Sequence, residues 1–451
     1  MTQTTPPLDP LVRSILTARV YEAAVETPLE RSEWLSEKLD NHVFLKREDL
    51  QPVFSFKLRG AYNRIAHLSE EERSRGVIAA SAGNHAQGVA FSARKLNIPA
   101  LIVMPVTTPS IKVDAVLKYG AEVQLFGDNY SEAADHCVEL AHELKRVFIH
   151  PFNDDLVIAG QGSVGMEIMR QSGGRMDAIF VPVGGGGLIA GVAAYVKALN
   201  PDIQVIGVEP EDSDAMTRSL EQNDLVSLSS VGVFADGVAV RTVGNRTFDL
   251  CRQHVDRMIR VGTDELCGAI KWSYLATRTI VEPAGALALA GLRRWVEEEG
   301  AQGRRLTAIN SGANMNFERL RYVTERTLVG EQLEALFAIT LPEEPGALRR
   351  FCVSVLKERN ITEFNYRMSE RHEAHIFLGV TVQGVAERHD FERVLDQQGY
   401  DNIDLTEDAL AKNHIRHMVG GASSAAGTER LFRFWFPERS GALGDFLEQM
   451  G

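Results

Sequence analysis

Between about residues 45 and 315, short apolar runs alternate with segments whose apolar residues recur at helical spacing. Gly76–Ala80 (GVIAA), Ala100–Pro105 (ALIVMP), Ala121–Phe126 (AEVQLF), Ala178–Val183 (AIFVPV), Gln204–Glu209 (QVIGVE) and Leu306–Asn310 (LTAIN) read as buried strands. Asn84–Leu96 and Leu188–Leu199 lie among them and read as helices. Strands alternating with helices predict βαβ units, an α/β class, and parallel sheet covered on both faces. Parallel crossovers place ligands at the carboxyl ends of strands, so the candidate chemistry is sought there.

After about Gly330 charged segments become denser and an internal repeat appears. Leu336–Val355 (LFAITLPEEPGALRRFCVSV) matches Leu431–Met450 (LFRFWFPERSGALGDFLEQM), pairing Pro342 with Pro437 and Gly346-Ala347-Leu348 with Gly441-Ala442-Leu443. The first copy continues through strands at Thr362–Met368 and His375–Val382, a helix at Ala386–Gln397 and a strand at Asn402–Leu405. That βαββαβ order is ferredoxin-like. The second copy stops after its first helix and would leave an unpaired edge. It is expected to be cut short or to complete itself against another subunit.

Composition narrows the class. The 451 residues carry a formal net charge of -13, which disfavours phosphate backbones and excludes nucleic acid as an expected partner. Four scattered cysteines, Cys137, Cys251, Cys267 and Cys352, have no metal-like spacing and read as reduced thiols. The N-terminus lacks a signal-peptide pattern, and no apolar stretch is long enough to span a bilayer. A cytoplasmic enzyme without a membrane or metal site is the expectation.

Four loops carry candidate chemistry. Lys57, in PVFSFKLRGAYNR, is flanked by Phe54 and Phe56. An apolar pocket would lower its pKa and suit it to Schiff-base formation, whereas a helix face would let it snorkel to water. The segment SAGNHAQG follows a strand and opens a helix; its amides would favour a carboxylate, and helix capping alone would also explain Ser81 and Asn84. Gly184–Gly187 leave the AIFVPV strand and open a helix, which predicts phosphate binding. The same stretch fits G-x-G-x-x-A over Gly185–Ala190, with Glu209 about 20 residues on, so a dinucleotide with its ribose on Glu209 competes. Ser311, in INSGANMN, leaves a strand where a hydroxyl could donate to a ring nitrogen, and Glu282 (EPAG) and Gly237 (ADG) lie in further loops.

Taken in order, SFKLRGAY, SAGNHAQGVAF, VPVGGGGL, EPAGALA and SGANMN resemble the biosynthetic threonine dehydratases, fold type II pyridoxal-phosphate enzymes. The resemblance runs from about residue 10 to the end, and the tail resembles their ACT-like regulatory region. It implies a catalytic domain over 1–330 with parallel sheets. A first ferredoxin-like α+β regulatory subdomain over 331–420 and the start of a second over 421–451 would follow. It also implies pyridoxal 5'-phosphate on Lys57, with Phe56 beside the ring and Asn84 on its phenolic oxygen. Gly184, Gly185, Gly186, Gly187 and Leu188 would hold the phosphate, and Ser311 would face the ring nitrogen. Ser81, with amides around Ala82 and His85, would take the substrate carboxylate, while Glu282 and Gly237 line the pocket. The implied reaction is elimination of the β-hydroxyl of L-threonine, or of L-serine, giving 2-oxobutanoate and ammonia from threonine. Isoleucine as inhibitor and a homotetramer are expected on the same ground. A neutral partner at the ring nitrogen is expected to favour elimination over transamination or racemisation. A nicotinamide oxidoreductase, a non-catalytic amino-acid sensor and a serine dehydratase or racemase are the competing readings.

Overall fold

The computed structural model describes residues 9–330, 333–342, 344–357, 359–370 and 373–408. These form two compact units that divide between Asn316 and Phe317. The second copy of the tail repeat, Leu431–Met450, lies outside the described residues.

Ten strands of the first unit are β1 (Leu29–Arg31), β2 (His42–Arg47), β3 (Val77–Ala80), β4 (Ala100–Met104) and β5 (Glu122–Leu125), then β6 (Val147–Phe148), β7 (Ala178–Pro182), β8 (Gln204–Pro210), β9 (Arg257–Val261) and β10 (Arg305–Asn310). They make two sheets. One has the order β1-β2-β10-β7-β8-β9 and is parallel except for the β1–β2 pair; the other, β5-β4-β3-β6, is wholly parallel. The chain leaves the larger sheet after β2, builds the smaller one, and returns through the helix Asp155–Ser172.

The predicted strands are present, each within a residue or two of its expected ends. β3, β4 and β7 are buried at every position, as continuous apolar runs under two helical layers should be. Four strands were not predicted. β1 and β6 are three and two residues long, and β9 (RMIRV) alternates exposed and buried positions at a sheet edge. β2 was missed although its last three positions are buried, because Lys46 and Arg47 interrupt the apolar run.

The helix Lys57–Ala66 crosses Asp155–Ser172 closely. A Cβ on Gly160 would lie 2.6 Å from the Cα of Gly60, so small residues at both positions let the backbones touch. Asp154 caps the long helix through the amides of Leu156 and Val157. This crossing fixes the start of the first helix, where Lys57 sits. The loops after β3, β7 and β10, all at carboxyl ends, carry Ser81–Gly83, Gly184–Gly186 and Ser311–Asn314.

The second unit opens with the helix Arg319–Gly330. Its strands β11 (Glu334–Pro342), β12 (Ile361–Glu370), β13 (Glu373–Thr381) and β14 (Asn402–Asp404) are arranged β12-β13-β11-β14, every neighbouring pair antiparallel. With helices starting at Ala347 and Val385, this is the expected βαββαβ unit. Phe337, Ile339, Phe351, Ile376, Leu378 and Phe391 fill its core.

Candidate active site

Lys57 is the first residue of its helix, so its side chain leaves a helix N-terminus rather than a solvent-facing middle turn. Its Nζ donates to the carbonyl of Pro151 at 3.2 Å, and among the described residues it makes no ion pair. Burial pulls its ammonium down to about 8, with the Glu282 carboxylate opposing that fall. The snorkelling alternative therefore does not describe this lysine.

A chain of contacts joins the other loops to it. The amide of Phe56 donates to the carbonyl of Ser311 at 3.1 Å, placing the end of β10 beside the lysine. Ser311 is buried, and its Oγ donates to the carbonyl of Ala284 at 3.2 Å. Ala284 lies in the first turn of the helix Pro283–Glu299, whose N-cap is Glu282. Glu282 Oε1 accepts from Asn84 Nδ2 at 2.5 Å. Burial raises the Glu282 carboxyl to about 7, with nearby Asp236 adding to the rise. Gly312 leaves the room this carboxylate occupies, since a Cβ there would lie 2.3 Å from Glu282 Oε1. Gly237 borders the same group; its Cβ would stand 3.9 Å from both Asn84 Nδ2 and Glu282 Oε1.

Helix capping does not account for Asn84. The N-cap is Gly83, without a side-chain hydrogen bond, and Asn84 is the first helical residue with its amide turned to Glu282. Asn314 Nδ2 donates to Asn84 Oδ1 at 2.7 Å, which fixes the amide's orientation. Ser81 Oγ accepts from the amide of Gly83 at 3.1 Å and shapes the turn holding Ala82. His85 is buried and donates from Nε2 to the carbonyl of Ile149 at 2.8 Å, and burial takes its imidazole down to about 3. Its ring is committed to structure, which leaves its backbone amide, in the unpaired first turn, for a carboxylate.

The glycine loop opens the helix Gly187–Leu199 and Gly186 has a φ of +89°, a conformation L side chains rarely adopt. A Cβ on Gly185 would stand 2.2 Å from the Phe152 ring, and one on Gly187 3.0 Å from the same residue. The loop is thus bare backbone laid against an aromatic ring, with amides free at a helix start. Gly184 touches the backbone of Val238, next to Gly237, and Leu188 anchors the helix in the core. These residues fit an anionic phosphate, and the unpaired, depressed Lys57 fits an aldehyde.

Glu209 does not serve a ribose. It is wholly buried, and its carboxylate accepts from the amides of Met216 and Thr217 and from Thr217 Oγ1 at 2.6–3.0 Å. The dinucleotide reading loses its acid.

Sequence reasoning missed Asn314, Pro151 and Phe152. The strand-to-helix segment HPFND, one residue after β6, was the available signal for the last two.

The comparisons with known proteins agree with this geometry. Residues 20–312 match the family model "Pyridoxal-phosphate dependent enzyme", and residues 325–415 match "C-terminal regulatory domain of Threonine dehydratase". The chain is 55% identical over 442 residues to the L-threonine dehydratase biosynthetic IlvA of Burkholderia multivorans, spanning 97% of this chain and 87% of that one. It is 49% identical over 441 residues to the enzyme of the same name from Escherichia coli, spanning 98% and 85%. The processed form of threonine deaminase isoform 2 from Solanum lycopersicum superposes with a TM-score of 0.69 at 49% identity, over 70% of this chain and 87% of that one. Maize serine racemase superposes with a TM-score of 0.66 at 33% identity, over 70% and 97%.

Proposed function

This chain belongs to the pyridoxal-phosphate-dependent threonine dehydratases that carry a C-terminal regulatory domain, and on that premise we propose which of its residues do the work and what its tail senses. The enzyme deaminates L-threonine to 2-oxobutanoate and ammonia by eliminating the β-hydroxyl. When bound, pyridoxal phosphate supplies the electron sink that stabilises negative charge at the substrate's Cα.

Lys57 would hold the cofactor through its amine and would take the proton from the substrate's Cα. An amine lowered to about 8 is partly neutral at physiological pH, which suits both roles. Gly184–Gly187 and Leu188 hold the phosphate by backbone amides. Asn84 donates to the phenolic oxygen, with Asn314 keeping its amide the right way round. Phe56 flanks the ring, and Ser311 meets its nitrogen with a neutral hydroxyl. Ser81 and the amides of Ala82 and His85 receive the substrate carboxylate, while Glu282 and Gly237 bound the pocket. The β-hydroxyl departs with a proton as water, and the enamine left behind tautomerises and hydrolyses to the keto acid and ammonia. L-Serine fits the same chemistry as a smaller substrate.

The observation that carries this assignment is the set of contacts linking the loops after β3, β7 and β10 to Lys57, through Asn84 with Glu282, Phe152 beside Pro151, and Ser311 with Phe56. Purified enzyme given L-threonine should release 2-oxobutanoate and ammonia in equal amounts, and Lys57→Ala should release neither. Product from Lys57→Ala at more than a trace would sink the assignment. We further propose isoleucine as the effector of the tail, a homotetramer as the assembly and the cytoplasm as the location. The regulatory-domain match and the βαββαβ unit support the first. Coupling to catalysis requires two states with different affinity for the effector. Isoleucine should lower the rate at sub-saturating threonine, and sedimentation should give four chains; unchanged rates or a monomer would remove the respective proposal.

A further inference from the structure

His150 ends the strand region of the smaller sheet and begins the turn His150–Asp154. Its Nδ1 accepts from two backbone amides, Phe152 at 3.2 Å and Asn153 at 2.8 Å. A ring nitrogen that accepts two N–H groups carries no proton, so the imidazole proton resides on Nε2. The turn closed in this way faces the site on two sides. The Pro151 carbonyl is aimed at Lys57 Nζ, the Phe152 ring lies against Gly185, and the Cβ and backbone of Phe152 lie against Gly187. Asn153 then accepts from the amide of Arg246 at 3.0 Å and donates to Asn245 Oδ1 at 2.8 Å, tying the turn to the larger sheet's side of the cleft. Asp154 caps the long helix that crosses the one bearing Lys57.

We propose that His150 is a positioning residue, whose Nδ1 lone pair holds the 150–154 turn so that the Lys57 amine and the glycine cradle keep a fixed separation. The proposal rests on the assignment of Lys57 and Gly184–Gly187 to pyridoxal phosphate. The lone pair is available because burial, opposed by Asp154 and aided by the neighbouring Lys57 ammonium, holds the imidazole down to about 4. The cofactor spans from its aldehyde carbon to its phosphate, so it tests that separation directly. A turn that sags on either side would present one anchor out of reach of the other. Misplacing a reacting group by about 1 Å can lower a rate by about 100-fold.

The test uses holoenzyme carrying His150→Asn or His150→Gln. Asn places its Oδ1 where Nδ1 stood and can accept the same two amides; Gln places its oxygen one atom farther out. The dissociation constant for pyridoxal phosphate and kcat and KM for L-threonine are measured for both. The Gln variant should bind the cofactor at least about tenfold more weakly, with kcat falling more than KM rises. The Asn variant should stay within about threefold of the parent in each. Equal behaviour of the two variants, whether intact or impaired, overturns the proposal, as does the reverse order. Should the Gln variant not fold, imidazole nitrogen spectra of the unsubstituted holoenzyme decide: a protonated Nδ1 on His150 overturns it, and an unprotonated, hydrogen-bonded one upholds it. Borohydride reduction and peptide mapping test the lysine assignment separately, since a label away from Lys57 would defeat that reading whatever the His150 variants do.

Discussion

Lys46 and Lys57 both bring an amine into the interior of the same unit, and their surroundings are opposite. Lys46 Nζ donates to Glu167 Oε2 and the Thr27 carbonyl, each at 2.6 Å, and to Gln171 Oε1 at 3.1 Å. It belongs to a closed group of four buried charges. Arg59 pairs with Glu48 and Glu167, and these two carboxylates also face Lys46. The group is charge-balanced, and the guanidinium spends its donors on Glu48, Glu167, Ser163 and the Val25 carbonyl. Lys57 meets one carbonyl at 3.2 Å and no carboxylate within ion-pair distance among the described residues. Burial depresses both ammonium groups, but the lysine with all three hydrogens engaged is locked, whereas the other keeps a lone pair within reach of neutral pH. Being buried does not make a lysine reactive; being buried without a matching anion does.

The sharpest way to break this comparison is to remove each amine in turn. Lys57→Ala should lower kcat by on the order of 10⁴-fold or more while leaving urea unfolding little changed. Lys46→Met should destabilise by about 3–5 kcal/mol, because Glu48 and Glu167 are then left with one buried cation between them, yet keep turnover per folded site within about threefold. If the Lys46 variant folds well and turns over poorly, the two lysines are not divided as argued.

Next in size is the cradle. Gly185→Ala should weaken pyridoxal phosphate binding by about 10- to 100-fold, since overpacking against Phe152 costs roughly 1–3 kcal/mol. Adding Phe152→Ala should recover part of the loss, and strictly additive effects would show that the ring is not what the new methyl meets.

The smallest effect concerns Glu282. Its folded carboxyl is raised to about 7 from an ordinary 4.5, so the folded state binds more protons between those values and its stability falls as pH rises through that window. Glu282→Gln still accepts from Asn84 and removes this dependence. Relative to the parent, it should gain about 2 °C in melting temperature on going from pH 4.5 to 7. A gap that stays constant with pH would mean the carboxyl is not perturbed in this way.

Much of the site was legible because its signals are local. A lysine just after two phenylalanines, four glycines after an apolar strand, and Ser-Gly-Ala-Asn after another each stand out within a few residues, although each taken alone also fits a plainer reading. Glu209 shows the limit of that method. Its spacing from the glycine loop suited a ribose, and only the folded chain reveals that Met216 and Thr217 have already taken its oxygens. Asn84 shows the converse, since a capping residue and a site residue look alike until Glu282 and Asn314 are seen beside it.

The sequence by itself determined the alternation of strands and helices, the run of glycines at a helix start and the βαββαβ order of the tail. Each follows from periodicity or from a residue type acting over a few positions, where backbone sterics and burial patterns are strong. Tertiary structure decided that the strands part into two sheets, and that Pro151, Phe152 and Asn314 join the site. It also decided that Lys46 is locked while Lys57 has no ion-pair partner among the described residues. These depend on which groups far apart in the chain meet in space, as Lys46 meets Glu167, and desolvation and pairing act through space rather than along the sequence.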